Sequence, residues 1–208
     1  GFLTVNGEKM SKSKGTFINA ETYLKHLDPT FLRYYYASKL TENMDDIDLS
    51  LEDFTQRVNS DLVGKYVNLG SRSAQMLQKT FGGQVGKAAP EGLKIYKDIG
   101  AQADEIAKCF DARQFSKAIN LIRECVDKAN KYFDDVAPWK LARENPEAAH
   151  ECLNATVWIF RAISVYLTPV IPELTQKVSA LFGDKAYAWA DLKTEPKTLT
   201  LQPFTHLI

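Results

Sequence analysis

Ser50-Leu51-Glu52-Asp53, continued by Val58-Asn59-Ser60-Asp61-Leu62-Val63 and Val67-Asn68-Leu69-Gly70-Ser71-Arg72, reads as one long helix, and that reading decides the fold class. Ser50 with an acid three residues later resembles a capping box, which opens a helix running to about Thr80. At about 100° per residue, Val58, Leu62, Tyr66, Leu69, Ser73 and Met76 fall on one side as a buried stripe. Lys65, Asn68, Arg72 and Lys79 fall along one flank of that stripe. Asn68 and Arg72 are four residues apart, so their side chains project side by side.

Working outward, the chain is mostly helical. Asn19 caps a short helix through His26, and Asp28-Pro29 opens another to about Leu40. After the loop around Gly82-Gly83 and Gly86–Pro90, a helix is expected from about Glu91 to Cys109. Asp111 is then expected to cap a helix carrying Phe115, Ala118, Ile119, Ile122, Val126, Ala129 and Phe133 at helical spacing. Pro138 interrupts it, Glu144-Asn145-Pro146 turns the chain, and a helix follows from about Glu147 to Leu167. Pro169 and Pro172 break that one and start a last short helix to Phe182; the tail from Lys185 reads as strand-like or irregular. Each helix carries an apolar stripe that must be covered, so the predicted fold is mainly α, an antiparallel helix bundle. The first 50 residues resemble the end of another, α/β domain, with Gly1 entering in mid-strand before Phe2, Leu3 and Val5. Tyr34, Tyr35 and Tyr36 are expected to pack between that part and the bundle, Trp158 and Trp189 to lie in the core, and Asp45–Asp48 to form a turn.

A second stretch carries chemistry. In Asn6-Gly7-Glu8-Lys9-Met10-Ser11-Lys12-Ser13-Lys14-Gly15-Thr16, three lysines stand within six residues, separated by hydroxyls and bracketed by glycines. Lysine is a compact charge on a flexible stem whose three donors can follow a phosphate as it moves. Ser11 and Ser13 add short donors, and Gly7 and Gly15 let the backbone approach an anion. Phosphoryl and nucleotidyl transfer is mostly positioning and charge stabilisation, which such a loop can supply. The spacing is not that of a Walker A loop.

Composition sets bounds. The 208 residues are 45 % apolar, enough for at least one sizeable core. No signal peptide and no apolar run long enough to span a bilayer is read from the sequence, so the expected location is cytoplasmic. Cys109, Cys125 and Cys152 are scattered and read as reduced core thiols, while His26, His150 and His206 are isolated, so no metal site is expected. Net charge is zero, but residues 57–87 hold five basic side chains against one acid, Asp61, whereas residues 42–53 are acidic. A local basic stripe suits a protein that grips one part of a nucleic acid.

The run Lys9-Met10-Ser11-Lys12-Ser13 resembles the signature loop of class I aminoacyl-tRNA synthetases. Followed in order by Leu32-Arg33-Tyr34-Tyr35-Tyr36, Asp45-Asp46-Ile47-Asp48-Leu49, the helix quoted above and Ala137-Pro138-Trp139, it closely resembles the C-terminal half of the methionyl-tRNA synthetase family, from residue 1 to about 190. The resemblance implies three parts: residues 1–52 as the end of the catalytic domain with the stem-contact region, 53–183 as an anticodon-binding helical bundle, and 184–208 as a tail packing back on it. It implies that Asn68, Arg72 and Trp139 recognise a CAU anticodon, with Pro138 shaping the site. The chemistry agrees: Asn offers donor and acceptor, Arg a rigid fork, and an indole a stacking platform for a splayed base.

The implied reaction joins methionine to ATP as methionyl-adenylate, with Mg2+ in the full enzyme, and then moves the methionyl group to tRNA(Met). Lys12 would stabilise the leaving pyrophosphate, Lys9 would support it, and Ser11 and Ser13 would fix the loop around Met10. The family's His-Ile-Gly-His motif, zinc knuckle and C-terminal dimerisation module are not in these residues, so the chain resembles a fragment, expected monomeric and inactive alone. Two alternatives stand beside this reading: a stand-alone, non-catalytic tRNA-binding helical module, and another class I synthetase, for leucine, isoleucine, valine or cysteine.

Overall fold

The computed structural model describes residues 2–13 and 15–208; the expectations placed on Gly1 and Lys14 lie outside the described residues. A small three-stranded sheet comes first, with β1 (Leu3–Val5) between β2 (Glu8–Lys9) and β3 (Ile47–Leu49). The tight β1–β2 hairpin turns through Asn6 and Gly7, both at positive φ (49° and 79°). β1 and β3 pair in parallel with Thr4 opposite Asp48, joined by α1 (Ala20–Leu24) and α2 (Pro29–Lys39). The acidic run expected to be a turn is thus partly a strand. Asp48 is tied to its neighbour by accepting from the Thr4 hydroxyl at 2.6 Å and the Gly7 N–H at 2.7 Å.

The long helix is continuous from Leu51 to Phe81, but it is not uniform. α3 (Leu51–Arg57) opens on Ser50, whose hydroxyl accepts from the Asp53 N–H at 3.2 Å. Val58–Val67 then widens into a π-helix before α4 (Asn68–Phe81) closes on left-handed Gly82. Of the predicted stripe, Val58, Leu62, Tyr66, Leu69 and Ser73 are buried and Met76 is half-buried.

The helix expected over Glu91–Cys109 is two: α5 (Pro90–Gly100) and α6 (Ala103–Asp111). Gly100 weakens the junction, and the Tyr166 hydroxyl takes the Ile99 carbonyl at 2.7 Å, which satisfies a helix end there. Asp111 therefore ends α6 rather than capping the next helix. After Arg113 in the left-handed region, Gln114 precedes α7 (Phe115–Val136). α8 (Pro138–Glu144), α9 (Pro146–Leu167) and α10 (Pro172–Leu181) follow. The tail holds a 3-10 turn at Trp189–Lys193 and a strand, β5 (Leu199–Thr200), paired antiparallel with β4 (Gln84–Val85).

Together these elements make a mainly α bundle around α9, which is buried at every residue from Cys152 to Leu167. The long helix runs against α9: Phe81 stacks on His150, Gly70 meets Phe160, and Tyr66 bonds Ser164. α7 runs alongside the long helix in constant register, through Asp61–Arg123 at 3.2 Å, Lys65–Asp127 at 2.6 Å and Arg72–Asp134 at 3.4 Å. Each fully buried large apolar side chain contributes about 1.5–3 kcal/mol of transfer free energy, so the rows along α9 dominate cohesion. Trp158 lies in this core, while Trp189 is half-buried at its edge. A second, smaller core joins Val5, Tyr35 and Leu49, with Met10, Leu32, Tyr36 and Phe54 packed against it. The tail folds back onto the bundle, burying Leu201 and Leu207, and Arg161 pairs with Asp184 at 2.8 Å.

Candidate lysine loop and nucleic-acid interface

The lysine loop grows out of the β1–β2 hairpin. Its neck is closed by Thr16, whose hydroxyl accepts from the Ser11 N–H at 3.0 Å and donates to the Lys9 carbonyl at 3.1 Å. The Thr16 N–H donates to the Ser11 carbonyl at 3.2 Å, and left-handed Gly15 donates to the Lys12 carbonyl at 3.4 Å. Ser11 and Ser13 share a hydroxyl bond at 3.0 Å. Met10 is half-buried against the small core, so it anchors the loop and presents no polar group. Lys9 and Lys12 are exposed and form no ion pair among the described residues; the Lys12 ammonium lies 5.4 Å from the Phe17 ring centroid. An exposed pair of cations on a closed neck can receive a polyphosphate without first breaking a salt bridge.

The second cluster sits where α4, α7 and α8 meet. Ala137 adopts a left-handed φ of 48°, and Pro138 starts α8 with its fixed φ, buried beneath the reversal. This sharp turn brings Trp139 back over Phe133, with ring centroids 5.5 Å apart. The Arg72 guanidinium carbon lies 4.8 Å from the Trp139 ring centroid and 4.9 Å from that of Phe133, while Asp134 holds one nitrogen at 3.4 Å. Trp139 remains 39 % exposed, and beside it a cleft of about 410 Å3 opens between Lys79, Met76 and the indole.

Of the residues predicted to form this site, the structure brings Arg72 and Trp139 into contact, and Pro138 is buried just before the indole at the start of α8. Asn68 is exposed one turn earlier on the same helix edge, outside the stack. Sequence reasoning missed Phe133 and Asp134. Phe133 was read only as one member of the α7 stripe; its contact with the indole depends on the left-handed backbone at Ala137, which no residue type there signals. Lys65, read as one of the basic residues along the flank, is paired with Asp127 at 2.6 Å. The lysine loop and the Arg72 cluster lie on different parts of the molecule, the first on the small sheet and the second on the bundle.

Arg72 keeps guanidinium N–H groups for a planar acceptor such as a base edge, and contact with both rings restrains its position. The open indole can carry a splayed base. His150 stacks on Phe81 and bonds the Gln84 carbonyl at 2.7 Å. Among the described residues, no group of three or more His, Cys, Asp or Glu is placed to hold a metal, and no helix is long and apolar enough to cross a membrane.

Two family models match: that described as tRNA synthetases class I (M) over residues 1–74, and that of the anticodon binding domain of methionyl tRNA ligase over residues 82–206. A methionine–tRNA ligase of Bdellovibrio bacteriovorus is 51 % identical over 207 residues, covering 100 % of this chain and 30 % of its own length. One from Psychrobacter cryohalolentis is 52 % identical over 177 residues, covering 84 % of this chain and 25 % of its own. This chain therefore spans less than a third of the length of these relatives. Mycobacterium tuberculosis methionyl-tRNA synthetase in complex with methionyl-adenylate superposes with a TM-score of 0.89 at 27 % identity, covering 100 % of this chain and 42 % of that one.

Proposed function

This chain belongs to the methionyl-tRNA ligase family, and from that premise we propose that it is the part of a methionine–tRNA ligase that reads the anticodon and stabilises the leaving pyrophosphate. In this reading residues 1–52 close the catalytic domain and meet the tRNA stem, 53–183 bind the anticodon, and 184–208 brace the bundle. The substrates of the whole enzyme are methionine, ATP with Mg2+, and tRNA(Met); it works in the cytoplasm, and this part is monomeric and makes no adenylate alone.

The observation that carries the reading is the contact of Arg72 with the paired rings of Phe133 and Trp139, on the same helix edge as Asn68. An Asn and an Arg fork one turn apart can address base edges, while the indole takes a stacked base. Lys12, exposed at the loop tip, stabilises charge on the departing pyrophosphate, with Lys9 beside it; Ser11 and Ser13 hold the loop and Met10 roots it. The Asp134 carboxylate keeps Arg72 occupied until RNA arrives.

The deciding experiment is titration of this chain with short hairpins carrying CAU and each single-base variant, at two salt concentrations. Preference for CAU that survives added salt supports anticodon reading. Equal affinities that fall steeply with salt would mean that only charge is recognised. A CAU preference unaffected by replacement of Lys12, in a protein that makes no adenylate even at full length, would favour the alternative, a non-catalytic tRNA-binding module.

A further inference from the structure

We propose that Thr16 is a positioning residue for Lys12, and that the ring of Phe17 is the seat on which the Lys12 ammonium rests between turnovers; this rests on the reading of Lys12 given above. Thr16 is placed as a two-way clamp. One hydroxyl accepts from the N–H of Ser11 and donates to the carbonyl of Lys9, and the same residue's backbone N–H reaches the Ser11 carbonyl. Three hydrogen bonds thus cross the neck of the loop at one residue, and Lys12 stands at the tip they close.

Phe17 follows directly and is 45 % exposed. The Lys12 ammonium stands 5.4 Å from the centroid of its ring. A cation held over an exposed ring is held weakly, so a polyphosphate displaces it readily. The arrangement narrows the directions open to a flexible four-carbon side chain without tying up its charge. A lysine in an open loop would have to find the phosphates by search; one on a clamped neck starts near them. The clamp fixes where the lysine begins, and the ring fixes which way it points.

The test uses the full-length ligase that carries this segment. Thr16→Val keeps the shape and removes the hydroxyl. It should lower kcat for ATP–pyrophosphate exchange about tenfold, leave KM for methionine unchanged, and speed tryptic cleavage after Lys12. Thr16→Ser should restore both readouts to within about threefold, and Phe17→Leu should lower kcat about threefold. Wild-type kcat and wild-type cleavage in Thr16→Val would overturn the proposal. Lys12→Ala run in parallel separates the two failures. If it exchanges normally, the reading of Lys12 is at fault; if it is slow while Thr16→Val is not, the clamp is. The cleavage rate tests the clamp in either case.

Discussion

Gly70 lies against the ring of Phe160, so close that a Cβ built at position 70 would overlap three atoms of that ring. This contact between α4 and α9 lies two residues before Arg72 on the same helix. Gly70→Ala should therefore destabilise the bundle by about 1–3 kcal/mol, the usual cost of forcing an extra methyl into a packed core. Urea melts would show it, and Phe160→Leu in the same chain should recover part of the loss. A Gly70→Ala melt that overlays the wild type would disprove the close approach.

Arg72 and Trp139 should respond differently to substitution. Arg72→Lys keeps the charge but loses the planar fork and the stack, so the preference for CAU should drop while affinity at low salt changes little. Trp139→Ala should weaken hairpin binding by about 1–3 kcal/mol, the value of one stacked base. Binding isotherms at fixed ionic strength would measure both, and unchanged discrimination in Arg72→Lys would remove Arg72 from base reading.

Lys12→Ala in the full enzyme should raise the adenylation barrier by about 3 kcal/mol, comparable to losing one preorganised donor to developing charge. Methionine binding should be unaffected. Single-turnover kinetics separate the two, and an equal loss in binding and rate would place Lys12 in the ground state instead.

The loop unit should carry an acid-sensitive joint at Asp53. Partial burial raises the pKa of this carboxyl, but hydrogen bonds and charge from Lys39 at 2.8 Å and Arg57 at 2.7 Å outweigh it, and the net shift is downward. A carboxylate shifted down in the fold adds stability above its unfolded value of about 4, and loses it as pH falls through the folded value. Wild type should thus lose stability more steeply below about pH 4 than Asp53→Asn, which at neutral pH should be weaker by about 1 kcal/mol. Parallel pH profiles in the two proteins would count against the joint.

The three cysteines should be slow to alkylate in the folded chain, since Cys109, Cys125 and Cys152 are all buried. Burial pushes the Cys125 thiol up to about 11, which leaves little thiolate to react at neutral pH. Iodoacetamide labelling followed by mass spectrometry should report all three only after denaturant is added.

Much of the fold was legible because it is written in local chemistry. Asp28-Pro29, Asn145-Pro146 and the Ser50 cap mark helix starts, and each start is where the rule puts it. The misreadings have a common cause, which is that the deciding partner is distant in sequence. Ile47–Leu49 is a strand only because β1 lies beside it, and the helix after Pro90 breaks where Tyr166 claims a carbonyl. The π-helical widening over Val58–Val67 has no counterpart in an apolar pattern that suits an ordinary helix. In the site, Asn68, Arg72 and Trp139 could be picked out by motif. Phe133 could not, because its contact with the indole exists only after the left-handed break at Ala137.

Tyr34 and Tyr35 follow one another on α2, yet the first is buried in the large core and the second in the small one. Consecutive rings stand about 100° apart around a helix, so one gripped on both of these faces cannot roll in one core without unseating the other. α2 therefore works as an axle between the bundle and the hairpin unit. Movement of the bundle along this face would carry the base of the hairpin unit with it.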